Sequence, residues 1–141
     1  MKNLIIFFSV CALLLSACSS DRVYSHIHTL KPAPKVSEAQ MVGRFYCGDG
    51  LGINHSLALN DDGTFCYQRY YCTGSDESAN GECWFIRDGR QLVLKYAKDQ
   101  DTEFVFTVAR IDGKLSFYDP QWEAEIAEKG PSDLTVFRRL K

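Results

Sequence analysis

Residues 56–67 read Ser-Leu-Ala-Leu-Asn-Asp-Asp-Gly-Thr-Phe-Cys-Tyr, with large apolar side chains at alternate positions on both sides of a turn cluster. That alternation is the period of a half-buried β-strand, and the turn cluster folds one strand back on the other. Asp61-Asp62-Gly63 suits a three-residue loop: a type I turn followed by Gly63 in a left-handed bulge position. This register sets Leu59 opposite Phe65 and Leu57 opposite Tyr67 on one face, with Ala58, Cys66 and Gln68 on the other. A hairpin is only marginally stable by itself, so the chain around it must supply more strands.

It does so at regular spacing. Strand patterns cover residues 42–47, 53–60, 64–71, 82–87, 91–96, 102–111, 114–118 and 134–139. Residues 48–52 are a glycine-rich turn without the Lys-Ser/Thr of a phosphate-binding loop. Residues 73–81 read as a polar loop. The period changes only after Pro120, where Trp122, Ile126 and an acidic set (Glu123, Glu125, Glu128) suit a short helix closed by Gly130-Pro131. The expected fold is all-β: an antiparallel meander of about eight strands with one short helix before the last. An open sheet of that size leaves an apolar face bare, whereas a small barrel or half-barrel covers it and removes the edges. Such a barrel has room for side chains or one small ligand.

The N-terminus has a separate purpose. Lys2 precedes an apolar run over residues 4–15, too short to span a membrane and typical of a secretory signal. Leu15-Ser16-Ala17-Cys18 follows and resembles the lipobox of bacterial lipoproteins. The resemblance implies that Cys18 becomes the first mature residue and carries diacylglycerol and a further acyl chain, enough for stable anchoring. Ser19, rather than Asp, implies the outer membrane by the family's sorting rule; the domain is expected on the periplasmic face rather than the surface. The expected organisation is a signal peptide over 1–17, a lipidated cysteine and flexible tether over 18–40, and a β-barrel-like domain over 41–141. The tether holds Lys31-Pro32-Ala33-Pro34-Lys35 and reaches at most about 70 Å when extended. Its His26-Ile27-His28 could begin a metal site, but chelation would have to order the tether first.

Without the signal the chain has 15 basic and 18 acidic residues. That balance gives no electrostatic case for nucleic acid. Four cysteines, Cys47, Cys66, Cys72 and Cys83, belong to the exported domain, and an oxidising compartment favours two disulfides among them. Cys66 and Cys72 lie too far apart on one strand to join. Cys66–Cys83 with Cys47–Cys72 is the favoured pairing, and Cys72–Cys83 is its rival. No Cys-x-x-Cys occurs, and no metal or other cofactor is expected.

His55 and Arg69 face each other across the hairpin near Tyr67. Inside a barrel, that set could hold a carboxylate-bearing ligand, with Arg69 as the fork and His55 as the switch. Simple solvation at the strand ends is the plainer account of both. No nucleophile–base arrangement stands out, and the chain reads as a non-enzyme.

Gly43-Arg-Phe-Tyr, Gly52-Ile53, Leu57-x-Leu59, Asp62-Gly63-Thr64-Phe65 and Gly81-x-x-Trp84 resemble calycin-like lipoproteins. They are most similar to the N-terminal domain of NlpE-type copper-homeostasis lipoproteins, over residues 42–118. That family carries a Cys-x-x-Cys before its Gly-Ile; here Cys47-Gly48-Asp49-Gly50 has one Cys, so copper binding by that pair does not carry over. The resemblance implies a ligand-binding or envelope-sensing module, with a small molecule or an envelope protein as its partner. A second likeness, through Phe45-Tyr46-Cys47 and Asp49-Gly50, is to inhibitors of c-type lysozyme. It implies an interaction module acting through the loops over 48–52 and 73–81, where Asp76 and Glu77 would meet a cationic partner.

Overall fold

The computed structural model describes residues 31–141. The expected signal peptide, Cys18 and the His26/His28 pair lie outside the described residues. The central hairpin is β3 (Ile53–Leu59) and β4 (Phe65–Tyr71), in the expected register: Leu59 pairs with Phe65 and Leu57 with Tyr67. Its loop is the expected one too. Gly63 has φ +84°, its N–H donates to the Asn60 carbonyl at 3.2 Å, and Asn60 N–H donates to Thr64 O at 2.9 Å. The Asp62 carboxylate accepts from Thr64 N–H at 2.9 Å, which fixes the turn.

Around the hairpin stand β2 (Gly43–Cys47), β5 (Asp76–Gly81), β6 (Cys83–Arg87), β7 (Gln91–Lys95), β8 (Phe104–Ile111), β9 (Lys114–Tyr118) and β10 (Phe137–Arg139). The sheet runs β5-β4-β3-β2-β10-β9-β8-β7-β6, antiparallel throughout, with a two-residue β1 (Lys31–Pro32) pairing with β8 off that path. β5 and β6 are almost continuous in sequence, so the two ends of the strand order meet and the sheet becomes a nearly closed barrel. Trp84 ties the seam: its N–H donates to Gly63 O at 2.8 Å, and its indole N–H donates to Asn60 O at 2.8 Å.

β5 corrects the expected polar loop over 73–81. Its side chains are mostly exposed, so no hydrophobic alternation announces it. Its backbone pairs with β4 from Tyr70–Asp76 to Phe65–Gly81. A Cβ at Gly81 would overlap the Phe65 ring, so the strand approaches the core only because that residue is glycine.

The boundary of the domain also moves. Ala33, Val36 and Met41 are buried in the main core, and α1 (Glu38–Met41) follows a Ser37 whose N–H donates to Gln40 Oε1 at 2.9 Å. Val36 N–H donates to Gly89 O at 2.8 Å, and Glu38 accepts from Ile86 N–H at 3.3 Å. Residues 33–40, expected to be tether, instead plug one end of the barrel. Their few apolar side chains are too irregular to show a period, yet they exclude water from Phe45, Leu59, Phe65 and Leu92, all at most 2% exposed.

The expected helix is α2 (Glu123–Lys129), following a 3₁₀ turn over Pro120–Trp122. Ile126 is buried with Ala109, Ile111, Tyr118 and Val136 in a second, outer cluster. The last strand is shorter than expected. Thr135 and Val136 N–H both donate to Ser132 O at 3.2 Å, and this turn takes up the residues before Phe137.

Candidate functional site

The end of the barrel opposite the plug is open. Across its middle lies an aromatic layer: Phe117 stacks on Phe137 at 4.7 Å between ring centres and meets Phe45 at 4.9 Å and Phe106 at 5.4 Å. Around this layer a cup of about 370 Å³ opens to solvent, within the size range of small-molecule sites. Leu94, Tyr96, Phe104, Phe106 and Phe137 form much of its wall, Trp122 and Leu134 its mouth, and Cys47, His55 and Tyr67 its polar side. Strand alternation explains the wall, because every second residue of β7 and β8 turns inward.

His55 sits in one rung between Cys47 of β2 and Arg69 of β4. Its Nδ1 lies 2.5 Å from the Tyr67 hydroxyl, and its ring is 6.2 Å from Phe137. Burial, and then the nearby Arg69 guanidinium, hold the imidazole pKa below its ordinary value. Burial likewise pushes the Tyr67 hydroxyl up. The pair is therefore neutral at neutral pH, and each group already has the other as a partner.

Arg69 keeps its expected place opposite His55 but does not line the cup. Its Nη1 lies 3.7 Å from Glu77, with the side chain 39% exposed, and its guanidinium lies 5.3 Å over the Tyr71 ring. The structure thus joins His55 to Tyr67 and leaves Arg69 at the side, so the expected carboxylate fork is not assembled in the cup.

The four cysteines are free, and neither favoured disulfide is formed. Cys47 shares a rung with His55 and Arg69, whereas Cys72 lies three residues beyond Arg69. Two strand spacings across and three residues along put them roughly 14 Å apart, about twice the reach of a disulfide. Cys66 and Cys83 were expected on neighbouring strands, but β5 lies next to β4 instead, with Cys66 opposite Asn80. The rival Cys72–Cys83 fails as well. Cys72 follows the far end of β4, while β6 starts beside the Gly63 turn. Cys47 points into the cup, and its thiol donates to Asp133 O at 3.4 Å. Burial and the Asp133 charge push its pKa up to about 11.

The expectation from sequence overlooked Cys47, Tyr96, Asp119, Trp122 and Leu134 as cup residues. The parity of Tyr96 with Leu92 and Leu94 could have placed it. Asp119, Trp122 and Leu134 lie outside the strands, and no periodicity points to them. Among the described residues, no group of three or more His, Cys, Asp or Glu side chains could hold a metal ion.

A small antiparallel barrel, plugged at one end and open as an apolar cup at the other, defines a calycin-like module. The family model for the NlpE N-terminal domain matches residues 42–123, more than half the chain, running from just before β2 to the first residue of α2. The chain belongs to that family, whose members are typically envelope-associated. Comparisons with curated proteins and with solved structures found no match.

Proposed function

We propose that this chain is a lipid-anchored envelope lipoprotein whose barrel binds a small molecule in its open cup, as a ligand-binding or sensing module without catalytic activity. The observation that carries this reading is the cup itself: concave, mostly apolar, with a few convergent polar groups, as small-molecule sites are built. Anchoring rests on Leu15-Ser16-Ala17-Cys18 at the end of an apolar leader, and Ser19 favours the outer membrane. The interaction-module alternative loses one of its two loops, since Asp76 and Glu77 lie on β5 and Glu77 engages Arg69.

Native mass spectrometry of the full chain purified from envelope tests the cup. A bound small molecule lost on Phe106→Glu, with the barrel still folded, is the expected result. An empty cup that also fails to take up an uncharged hydrophobic dye overturns the reading. Anchoring is tested separately. Cys18→Ala should lose acyl labelling and move to the soluble envelope fraction, and persistent labelling would exclude Cys18 as the anchor.

A further inference from the structure

We propose that the cup takes the hydrocarbon tail of a single-chain amphiphile whose head carries no net negative charge, a monoacyl lipid being the simplest such ligand. This rests on the cup being a ligand site, and it names the class. Three observations carry it.

The first is the chemistry of the interior. The wall is aromatic and aliphatic; the polar lining is the Tyr67 and Thr135 hydroxyls, the Cys47 thiol and the His55 imidazole, with Asp119 and Gln121 beside Trp122 at the mouth. His55 and Tyr67 are bonded to each other, and the Cys47 thiol is taken by Asp133 O. Among the described residues no Lys or Arg lines the cup, and Arg69, the cation of the His55 rung, stands outside the lining with its Nη1 3.7 Å from Glu77. An anion buried in the cup would therefore lack a direct partner, at a high cost. The buried part of the ligand is therefore uncharged.

The second is that the apolar surface does not stop at the mouth. Leu134 is 57%, Phe104 45% and Trp122 38% exposed, and all three line the cup. A compact ligand sealed inside would leave these side chains in water. A flexible tail long enough to fill the cup and cross its edge covers both surfaces, and leaves the head in solvent.

The third is charge at the mouth. With His55 neutral, Asp119 is the one charged residue among the described residues that line the cup. Its carboxylate accepts from Gln121 N–H at 3.0 Å and from Gln121 Nε2 at 3.1 Å, neither of them a cation. A carboxylate head leaving the cup there meets a like charge, whereas a glycerol head does not.

The test is titration of the folded domain with a medium-chain monoacylglycerol and with the fatty acid of the same chain, below their micelle concentrations at neutral pH. Calorimetry and tryptophan emission report binding. The monoacylglycerol should bind at one equivalent and about tenfold more tightly than the fatty-acid anion. Leu134→Glu, a change at an exposed position, should weaken monoacylglycerol binding by about tenfold or more. Asp119→Asn, which retains a side-chain oxygen for Gln121, should narrow the preference for the uncharged head severalfold. Equal or tighter binding of the fatty acid overturns the head assignment. If an uncharged dye enters the cup and neither lipid does, the lipid class falls while the cup remains a ligand site. If nothing enters, both fall together.

Discussion

The two ends of the barrel are built from the same strands and differ in what covers them. At the plugged end, the β3–β4 rung Leu59–Phe65 is 2% and 1% exposed. At the open end, the rung Ile53–Tyr71 joins the same two strands, and Ile53 is 46% exposed. Residues 33–41 lie over the first end, with Ala33, Val36 and Met41 in the core. The open end instead carries the exposed Leu51, Ile53, Phe104, Trp122 and Leu134. Alternation decides which face of a strand turns inward. Whether that face becomes core or binding surface depends on a segment outside the strands.

The comparison implies that stability resides at the plugged end, and the largest effect should be found there. Phe65→Ala should cost about 3–5 kcal/mol in denaturant unfolding, the usual range for a buried aromatic. A loss below about 1 kcal/mol would mean that this end is not the core.

The next effect concerns the boundary between the two ends. Cys47 lies in the rung of His55 and lines the cup, with its pKa raised from the ordinary 9.0 to about 11. At any pH well below 9, that shift lowers the thiolate fraction about a hundredfold. Cys47 in the folded protein should therefore alkylate about a hundredfold more slowly than exposed Cys72, and at an ordinary rate once unfolded. Mass mapping checks this directly. Finding Cys47 in a disulfide would mean that the open end is arranged differently.

A smaller effect should come from His55. Its folded pKa lies below the ordinary 6.5, chiefly through burial. Below pH 6.5 the unfolded chain binds a proton that the folded chain resists, so stability falls as pH drops through this window and is fully present above it. Half-exposed surroundings keep the effect modest. Melting temperatures measured at about pH 7.5 and about pH 5 should fall more for the wild type than for His55→Gln. Equal falls would mean that the imidazole is solvated, and that the cup is wetter than its lining suggests.

The plugged end and the open end were not equally legible in the sequence. Strand positions, the Leu59–Phe65 register and the Gly63 turn could be read because alternation and turn chemistry are local signals. The helix over Glu123–Lys129 was legible for the same reason. β5 was not: its side chains contribute little, and it is held by backbone bonds to β4 and by the absence of a Cβ at Gly81. Missing that strand also misplaced Cys66 beside Cys83. The plug was missed because three scattered apolar residues between prolines and polar residues have no period. At the site, His55 and Tyr67 followed from register alone. The direction of Arg69 depended on Glu77, which lies on the strand that was not foreseen.

The smallest expected effect is the sharpest test of the contrast. Leu51 is 80% exposed and Leu134 57%. Replacing either with a polar residue removes little buried surface, so the hydrophobic term that dominates at Phe65 is nearly absent. Leu51→Ser and Leu134→Gln should each change unfolding free energy by no more than about 0.5 kcal/mol. The two sites stand in different loops, so their effects should add. A double variant that loses about 2 kcal/mol or more would show these side chains to be packed in solution, with the mouth closed over the aromatic layer. Unchanged stability, together with weaker uptake of apolar molecules, would assign them to binding instead. Exposed apolar side chains that contribute nothing to the fold, gathered at the open end of the barrel, mark a surface that meets something else.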